Sequence, residues 1–247
     1  MKPLELHIAK ILAPFREHLV LVACSGGVDS MVLSELLRRL GFQLELAHVN
    51  YGLRGTDSEA DMQLVLDYGE KHKIPVHLRR ANPEDFQKNT QATAREFRYA
   101  WFDELIAQRE KAVIALAHHS DDQVETFFLN LARKSGVMGL ACMPFQHRNW
   151  IRPLLDFSKN DLLDFAKLHR ISWREDASNT KLTYKRNILR SVFIPELTAY
   201  TPELKENVLL MIHYFQEKQR ELETELAPVA SQWQKDRELQ LDTWRAF

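Results

Sequence analysis

Residues 19–37 carry three patterns in immediate succession, and together they leave few folds open. Leu19-Val20-Leu21-Val22-Ala23-Cys24 is a continuous apolar run, the pattern of a strand buried on both faces. Ser25-Gly26-Gly27-Val28-Asp29-Ser30 comes next, and Met31 to Leu37 then takes up helical spacing. A strand that becomes a helix within so few residues needs glycine at the turn, where a Cβ blocks either the bend or the close approach of a ligand. Successive N–H groups and the N-terminus of the new helix then converge on one small concavity, which is an anion site. Ser25 and Ser30 add hydroxyl donors. Asp29 repels a bare phosphate, so its presence points to a bridging magnesium ion. A helix terminus contributes only about 0.3–1 kcal/mol toward a nearby anion. Directed N–H bonds and a metal are therefore both needed to hold a nucleotide.

Further along, apolar runs alternate with helical periodicity. Leu6 to Phe15 reads as an amphipathic helix ahead of the first strand, and Gln43 to Val49 as a second strand. Thr56-Asp57-Ser58 caps a helix that runs to about His72, and Val76-His77-Leu78 is a short third strand. Thr90 to Gln108 is a long helix, Ala112 to Ala117 a fourth strand, and Asp121 to Arg133 its following helix. Strand alternating with helix in this way predicts an α/β fold, a doubly wound parallel sheet with helices on both faces. Ligands in such sheets bind beyond the carboxyl ends of the strands. Ser25, His48-Val49-Asn50 and His118-His119 all fall at those ends, so three segments should converge on one rim.

The pattern changes after Pro144. Ile151 to Leu155 is short and extended, Ser158 to His169 is a helix, and Ser172 to Lys181 is a polar loop. Thr183 to Leu197 reads as a helix ended near Pro195, and two more, Pro202 to Leu226 and Val229 onward, close the chain. The expected division is a catalytic domain over 1–200 and a helical C-terminal extension over 201–247, the latter possible as the start of a longer C-terminal region.

Composition excludes several classes. The 247 residues suffice for one sizeable core with a small appendage. No stretch approaches the roughly 18 apolar residues of a membrane span, and the first residues do not form a secretory signal. Cys24 and Cys142 are the only cysteines. That fits a reducing cytoplasm and argues against structural zinc, an iron–sulfur cluster or a disulfide framework. The net charge of −1 argues at first against a nucleic-acid partner. Its distribution is uneven, however: Phe145 to Tyr200 holds ten Lys/Arg against six Asp/Glu, and the residues from Thr201 onward hold six against nine. Phosphate backbones respond to local excess, since screening acts over about 8 Å at physiological salt. Charge alone is better explained by a solvated face of mixed sign.

His118-His119-Ser120-Asp121-Asp122-Gln123-Val124-Glu125-Thr126 is the second dense polar cluster, and it opens a helix. Asp122 and Glu125 are three apart, which puts both carboxylates on one helix face. Two carboxylates together are costly without a cation between them, and magnesium or a substrate ammonium group would serve. An aspartate helix cap accounts for Asp121 or Asp122 but not for His118, His119, Gln123 and Glu125 as a set.

A glycine turn alone is often only a bend, and this one lacks the lysine of the commoner ATPase loop. It resembles instead the pyrophosphatase loop, Ser-Gly-Gly-x-Asp-Ser, of enzymes that split ATP between the α and β phosphates. Seven further blocks follow in order: His48 to Gly55, Ala94-Arg95-Glu96-Phe97-Arg98-Tyr99, His118 to Thr126, and Arg133-Lys134-Ser135-Gly136 with Gly139-Leu140. The last three are Arg152-Pro153-Leu154-Leu155, Asp176-Ala177-Ser178-Asn179, and Arg186-Asn187 with Arg190. On these the chain resembles the tRNA(Ile)-lysidine synthetases, N-type ATP pyrophosphatases with an adenine nucleotide alpha hydrolase-like fold.

The resemblance implies an enzyme, a ligase that forms a carbon–nitrogen bond. ATP and Mg2+ activate the C2 oxygen of the wobble cytidine in tRNA(Ile) with a CAU anticodon, and free lysine displaces AMP from the adenylated tRNA. It implies ATP binding by Ser25, Gly26, Gly27, Val28, Asp29, Ser30 and His48, with Asp29 toward the metal. Asp122 and Glu125 would bind lysine, and Asp29, Ser30, Arg95 and Arg133 would be catalytic. Arg186, Asn187 and Arg190 would touch tRNA. For Arg95 and Arg133 a surface ion pair explains the residue about as well. Location in the cytoplasm, no membrane association and room for a homodimer complete the expectation. Tyr51 stands where this family more often has His, and Lys134 where Gly is usual. Most members also carry additional C-terminal domains that grip the tRNA. The rival readings are a tRNA 2-thiocytidine synthase, which expects paired cysteines, an amidating ligase such as NAD synthetase, and a tRNA-binding module without catalysis.

Overall fold

The structure is a computed structural model that describes residues 3–52, 55–81, 90–107, 109–175 and 185–236. Its elements run α1 (Pro3–Ile11), a 3-10 turn (Ala13–Phe15), β1 (Leu19–Ala23), α2 (Val28–Arg39), β2 (Gln43–Asn50), α3 (Thr56–His72), β3 (Val76–Arg80), α4 (Thr90–Ala107) and β4 (Ala112–Ala115). They continue with α5 (Ser120–Ala132), α6 (Val137–Leu140), β5 (Gln146–His147), β6 (Trp150–Ile151), α7 (Lys159–Leu168), α8 (Lys185–Ile188), a π-helical turn (Leu189–Phe193), α9 (Ile194–Tyr200) and α10 (Leu204–Asp236). Packing divides them into two compact units. One holds residues 1–122 and 145–181, and the other residues 123–144 and 182–247.

The first unit contains the sheet, in the order β3-β2-β1-β4-β6-β5. The first five strands in that order pair in parallel, and β5 is an antiparallel edge. Strand order reverses at β1, which pairs β2 on one side and β4 on the other, so its carboxyl end is the switch point of the fold. The alternation of β1 assigns the layers. Val20 and Val22 face a core built with α1, α2 and α7, which contribute Ile8, Leu33, Leu36, Leu37, Leu162 and Phe165, with Leu12 just after α1. Leu19 and Leu21 face the opposite core with Trp101, Phe102 and Ile106 of α4. A strand buried on both faces can carry apolar residues at every position. The doubly wound expectation therefore holds, with helices on both sides of a mostly parallel sheet.

Prolines account for most of the differences in element ends. The first helix stops at Ile11, and Pro14 is taken into a 3-10 turn that ends at Phe15. Pro195 does not end a helix. It lies just past the π-helical turn, inside a run that is helical from Lys185 to Tyr200. Pro228 lies inside α10, so the two closing helices expected from the sequence are one helix of 33 residues. The third strand extends to Arg80, and the stretch near Ile151 is half of a small hairpin with β5. The N-cap of α3 is Gly55, at φ +52°, rather than Thr56.

The second unit has its own core. Val124, Ile194, Val208 and Ile212 pack with Phe127, Phe128, Leu189, Leu204 and Leu209. Among the described residues no helix is long and apolar enough to cross a membrane.

Gly69 near the end of α3 shows how tightly the first unit is closed. A Cβ there would stand 2.2 Å from Val76 Cγ2 and 2.9 Å from the carbonyl of Ile74, whose own N–H donates to Gly69 O at 2.8 Å. Gly69→Ala gains about 1 kcal/mol of helix propensity but overpacks the start of β3 at about 1–3 kcal/mol. We expect a net loss of stability, read as a lower midpoint in thermal or urea unfolding.

Candidate functional site

The turn after β1 is built as its composition requires. Gly26 sits at φ +87°, a region that costs an L-residue about 1–2 kcal/mol. A Cβ there would also stand 3.2 Å from the backbone oxygen of Asp61 on α3. Gly27 is the N-cap of α2 and offers the helix no side chain. The first-turn N–H groups of Val28, Asp29 and Ser30 have no intrahelical acceptor, as at any helix start. Ser30 locks the turn: its hydroxyl accepts from the N–H of Ser25 at 3.1 Å and donates to Gly27 O at 3.0 Å. The N–H of Gly27 donates to Ser25 Oγ at 3.3 Å.

Neighbouring segments hold this loop from behind. His48 is buried at the end of β2 with Nδ1 2.9 Å from the carbonyl of Cys24. A carbonyl only accepts, so that nitrogen carries a proton. The backbone N–H of Arg174 donates to Gly26 O at 3.1 Å. The guanidinium of Arg174 bridges Asp61 at 2.8 Å and Asp57 at 3.0 Å, both on α3.

In front of the loop, charges of both signs meet. Asp29 accepts from Lys159 Nζ at 2.6 Å. His119, with its side chain only 5% exposed, places Nε2 3.9 Å from Asp29 and 3.6 Å from Asp122, and Nδ1 3.6 Å from Asp121. One buried imidazole thus stands among three carboxylates. Asp122 also accepts from the backbone N–H of His119 at 3.1 Å, the bond of a helix cap. Asp121 accepts from the backbone N–H of Lys159 at 2.8 Å and so ties the start of α5 to the start of α7. Ser25, His48 and His119 do converge at the carboxyl ends of their strands.

Glu125, on α5 in the second unit, is 1% exposed and accepts from Arg186 Nε at 2.5 Å and from Arg190 Nε and Nη2 at 2.5 and 3.1 Å. Arg186 and Asn187 sit on α8, Arg190 in the π-helical turn that follows. Asp122 thus meets the His119 segment, and Glu125 meets two guanidinium groups. Arg95 is exposed on α4, with its guanidinium 5.0 Å from the ring centre of Tyr99. Arg133 is exposed just past the end of α5. Tyr51 donates to the carbonyl of Ala94 at 3.0 Å, and burial raises its phenol pKa against a smaller lowering by Arg98. Leu53, Arg54 and the segment Asp176 to Asn179 lie outside the described residues.

Sequence reasoning did not select Lys159 or Arg174. Lys159 left one signal, because a cation in the first turn opposes the helix dipole by about 0.3–1 kcal/mol. Arg174 left none.

Burial also decides what the cysteines do. It raises the thiol of Cys24 despite weaker opposing hydrogen bonds at Gly26, Ser30 and Ser34, and it pushes Cys142 up to about 12. Neither is a thiolate near neutral pH, so neither is an activated sulfur nucleophile.

A metal is compatible with the loop through Asp29. Among the described residues no three of His, Cys, Asp and Glu form a metal cage. Magnesium does not need one, since it is commonly held by one or two carboxylates together with substrate phosphates and water. A lone carboxylate at the mouth of an anion-binding turn is that kind of donor.

A parallel sheet whose first turn forms such a cradle at the switch point defines a nucleotide-binding α/β protein. Residues 1–197 match the PP-loop domain family, and the chain belongs to that family. Over 204 residues it is 37% identical to the tRNA(Ile)-lysidine synthase of Porphyromonas gingivalis, covering 79% of this chain and 44% of that protein. Over 206 residues it is 39% identical to the tRNA(Ile)-lysidine synthase of Neisseria gonorrhoeae, with 79% and 45% covered. The chain spans about half the length of these curated relatives. The U34-tRNA thiolase NcsA of Methanococcus maripaludis shares the fold, with a TM-score of 0.72 at 17% identity over 87% of this chain and 78% of that one.

Gly26→Ala combines the wrong backbone region with a tight contact to α3. We expect it to lower stability by about 1–3 kcal/mol and to weaken nucleotide binding at least tenfold, measured by thermal unfolding and by ATP titration. Iodoacetamide at neutral pH should alkylate the folded chain at least tenfold more slowly than the unfolded chain.

Proposed function

We propose that this chain is the ATP-using part of a tRNA(Ile)-lysidine synthetase. In that reaction the C2 oxygen of the wobble cytidine attacks the α-phosphorus of ATP, pyrophosphate leaves, and the ε-amine of lysine then displaces AMP from C2. The observation that carries the reading is the Ser25–Ser30 cradle at the switch point, in a chain whose curated relatives at 31–39% identity bear that enzyme's name. The ATP-using domain would be residues 1–200, with the helical part from 201 as its extension, in keeping with a family match that ends at residue 197.

In this reading the first-turn N–H groups of α2 take the phosphates, and Ser25, Ser30 and His48 hold the cradle in shape. Asp29 holds magnesium, which supplies charge neutralisation for the phosphates. Asp122 and Glu125, one turn apart on α5, bind lysine by its positive charge, with Glu125 exchanging its arginine partners for the substrate ammonium. Arg186, Asn187 and Arg190 then serve the tRNA backbone, where guanidinium groups bind phosphate in a forked geometry. Arg95 and Arg133 donate to charge that develops during transfer. Holding three substrates in line is where much of the rate would come from, since orientation can be worth about 7–11 kcal/mol. Reaction in the cytoplasm and a homodimer belong to the same proposal.

A sulfur-transfer reaction on the same fold is disfavoured by the two protonated, partly or fully buried cysteines. Incubation with labelled lysine, ATP and magnesium should label tRNA(Ile) with a CAU anticodon and leave a methionine tRNA with that anticodon unlabelled. Asp29→Asn should reduce the labelling at least a hundredfold. Labelling unchanged in Asp29→Asn sinks the mechanism. ATP turnover with RNA but no lysine transfer points to another modification of tRNA.

A further inference from the structure

The peptide between Gly26 and Gly27 is the part of the turn with least steric restraint. Flipping it changes only the ψ of Gly26 and the φ of Gly27, and glycine permits both changes. Gly27 stands at φ −76°, and a flip takes it to positive φ, which few other residues adopt. Orientation matters because a trans peptide is planar, so its C=O and N–H point in opposite directions. Here the carbonyl of Gly26 points back and accepts from the Arg174 N–H at 3.1 Å. The N–H of Gly27 points toward Ser25 Oγ, 3.3 Å away and one of the hydroxyls of the cradle. The flipped peptide would aim a carbonyl oxygen into the anion site and repel a phosphate.

The donor that holds this carbonyl is itself tied down. The guanidinium of Arg174 spans Asp61 at 2.8 Å and Asp57 at 3.0 Å, one turn apart on α3. The Asp61 side chain is only 11% exposed. Ile171 and Trp173, just before Arg174, are packed in the core shared by α2 and α7. One arginine thus fastens the glycine turn to α3, and every residue involved lies in the first unit. An open ion pair such as that to Asp57 contributes little stability. The second contact, to a nearly buried carboxylate, fixes where the backbone of residue 174 stands.

We propose that Arg174 is a positioning residue that keeps the Gly26–Gly27 peptide in its anion-binding orientation. The proposal rests on the reading of the Ser25–Ser30 turn as an ATP site. By bridging Asp57 and Asp61, the side chain presses its own backbone N–H against Gly26 O, and it does so without meeting the phosphate. When only a fraction of molecules hold the binding orientation, the apparent Kd rises by the inverse of that fraction. Loss of the tether therefore weakens ligands that carry phosphate and spares the nucleoside.

The test is calorimetric titration of ATP and of adenosine, with magnesium, joined to the Gly27 amide resonance of isotope-labelled protein and to thermal unfolding. It compares the wild-type chain, Arg174→Ala, Arg174→Lys and the double variant Asp57→Asn with Asp61→Asn. Arg174→Ala should weaken ATP at least tenfold, leave adenosine within twofold, and shift or broaden the Gly27 amide on the microsecond-to-millisecond scale. Arg174→Lys should recover part of the loss. The double aspartate variant keeps the positive charge but frees it from α3, so it should weaken ATP as Arg174→Ala does. ATP affinity kept or raised in that variant overturns the proposal, because the guanidinium then acts on phosphate directly or not at all. Equal weakening of ATP and adenosine overturns it too, as does a Gly27 amide unchanged in Arg174→Ala. A wild-type chain that binds neither ligand overturns the ATP reading beneath it, and the Gly27 resonance then decides the peptide orientation by itself. If the alanine variant does not fold, Arg174→Lys and the aspartate variant carry the test through the same readouts.

Discussion

Parallel pairing of β1 between β2 and β4 is the constraint on which the site depends. Leu19 to Val22 are buried on both faces, so the strand can end only where the chain leaves the sheet, and it leaves at the point where strand order reverses. The connections that leave neighbouring strands there run to opposite faces of the sheet and open a crevice between them. The turn to α2 has to be made in that crevice, in the four residues between Ala23 and Val28. Gly26 at φ +87° makes it possible. From that one turn follow the exposed N–H groups of α2, the position of Asp29, and the need for a cation in front of it.

Charge at the rim is balanced by residues drawn from distant parts of the chain. Asp29, Asp121 and Asp122 surround His119, Lys159 answers Asp29, and Arg174 answers Asp57 and Asp61. The carboxylates repel one another unless cations stand among them. The same arrangement suits a phosphate-bearing substrate, because cations already placed for carboxylates can be transferred to phosphate oxygens. In the second unit Glu125 and its two arginines repeat the principle: a carboxylate that is almost fully buried is retained only with its charge answered.

The legible part of the fold came from apolar periodicity. Strands β1, β2 and β4 and helices α2, α3, α5 and α7 lie within a few residues of where the spacing puts them, since burial on one or two faces writes a period into the sequence. The errors cluster at prolines. Pro195 and Pro228 look like helix ends in the sequence, yet one follows a π-helical turn within a continuous helical run and the other lies inside a helix of 33 residues. The hairpin of β5 and β6 is too short to show any period.

Among the site residues, those close together in the chain were readable. The Ser25–Ser30 turn and the His118–Glu125 cluster are single segments whose chemistry is local, and backbone geometry alone dictates that glycine and hydroxyl residues stand there. Which carboxylate meets which cation was decided by the tertiary structure. Lys159 is 130 residues from Asp29 and Arg174 is 113 from Asp61, and no local pattern encodes such a pairing. It arises because α7 returns to pack on α2, and the side chains at its start are then carried to the mouth of the turn. Sequence by itself determined a parallel α/β sheet with an anion-binding turn, because those properties depend on side-chain period and on the freedom of glycine. Charge pairing at the rim depends on distances between segments, and only packing sets those.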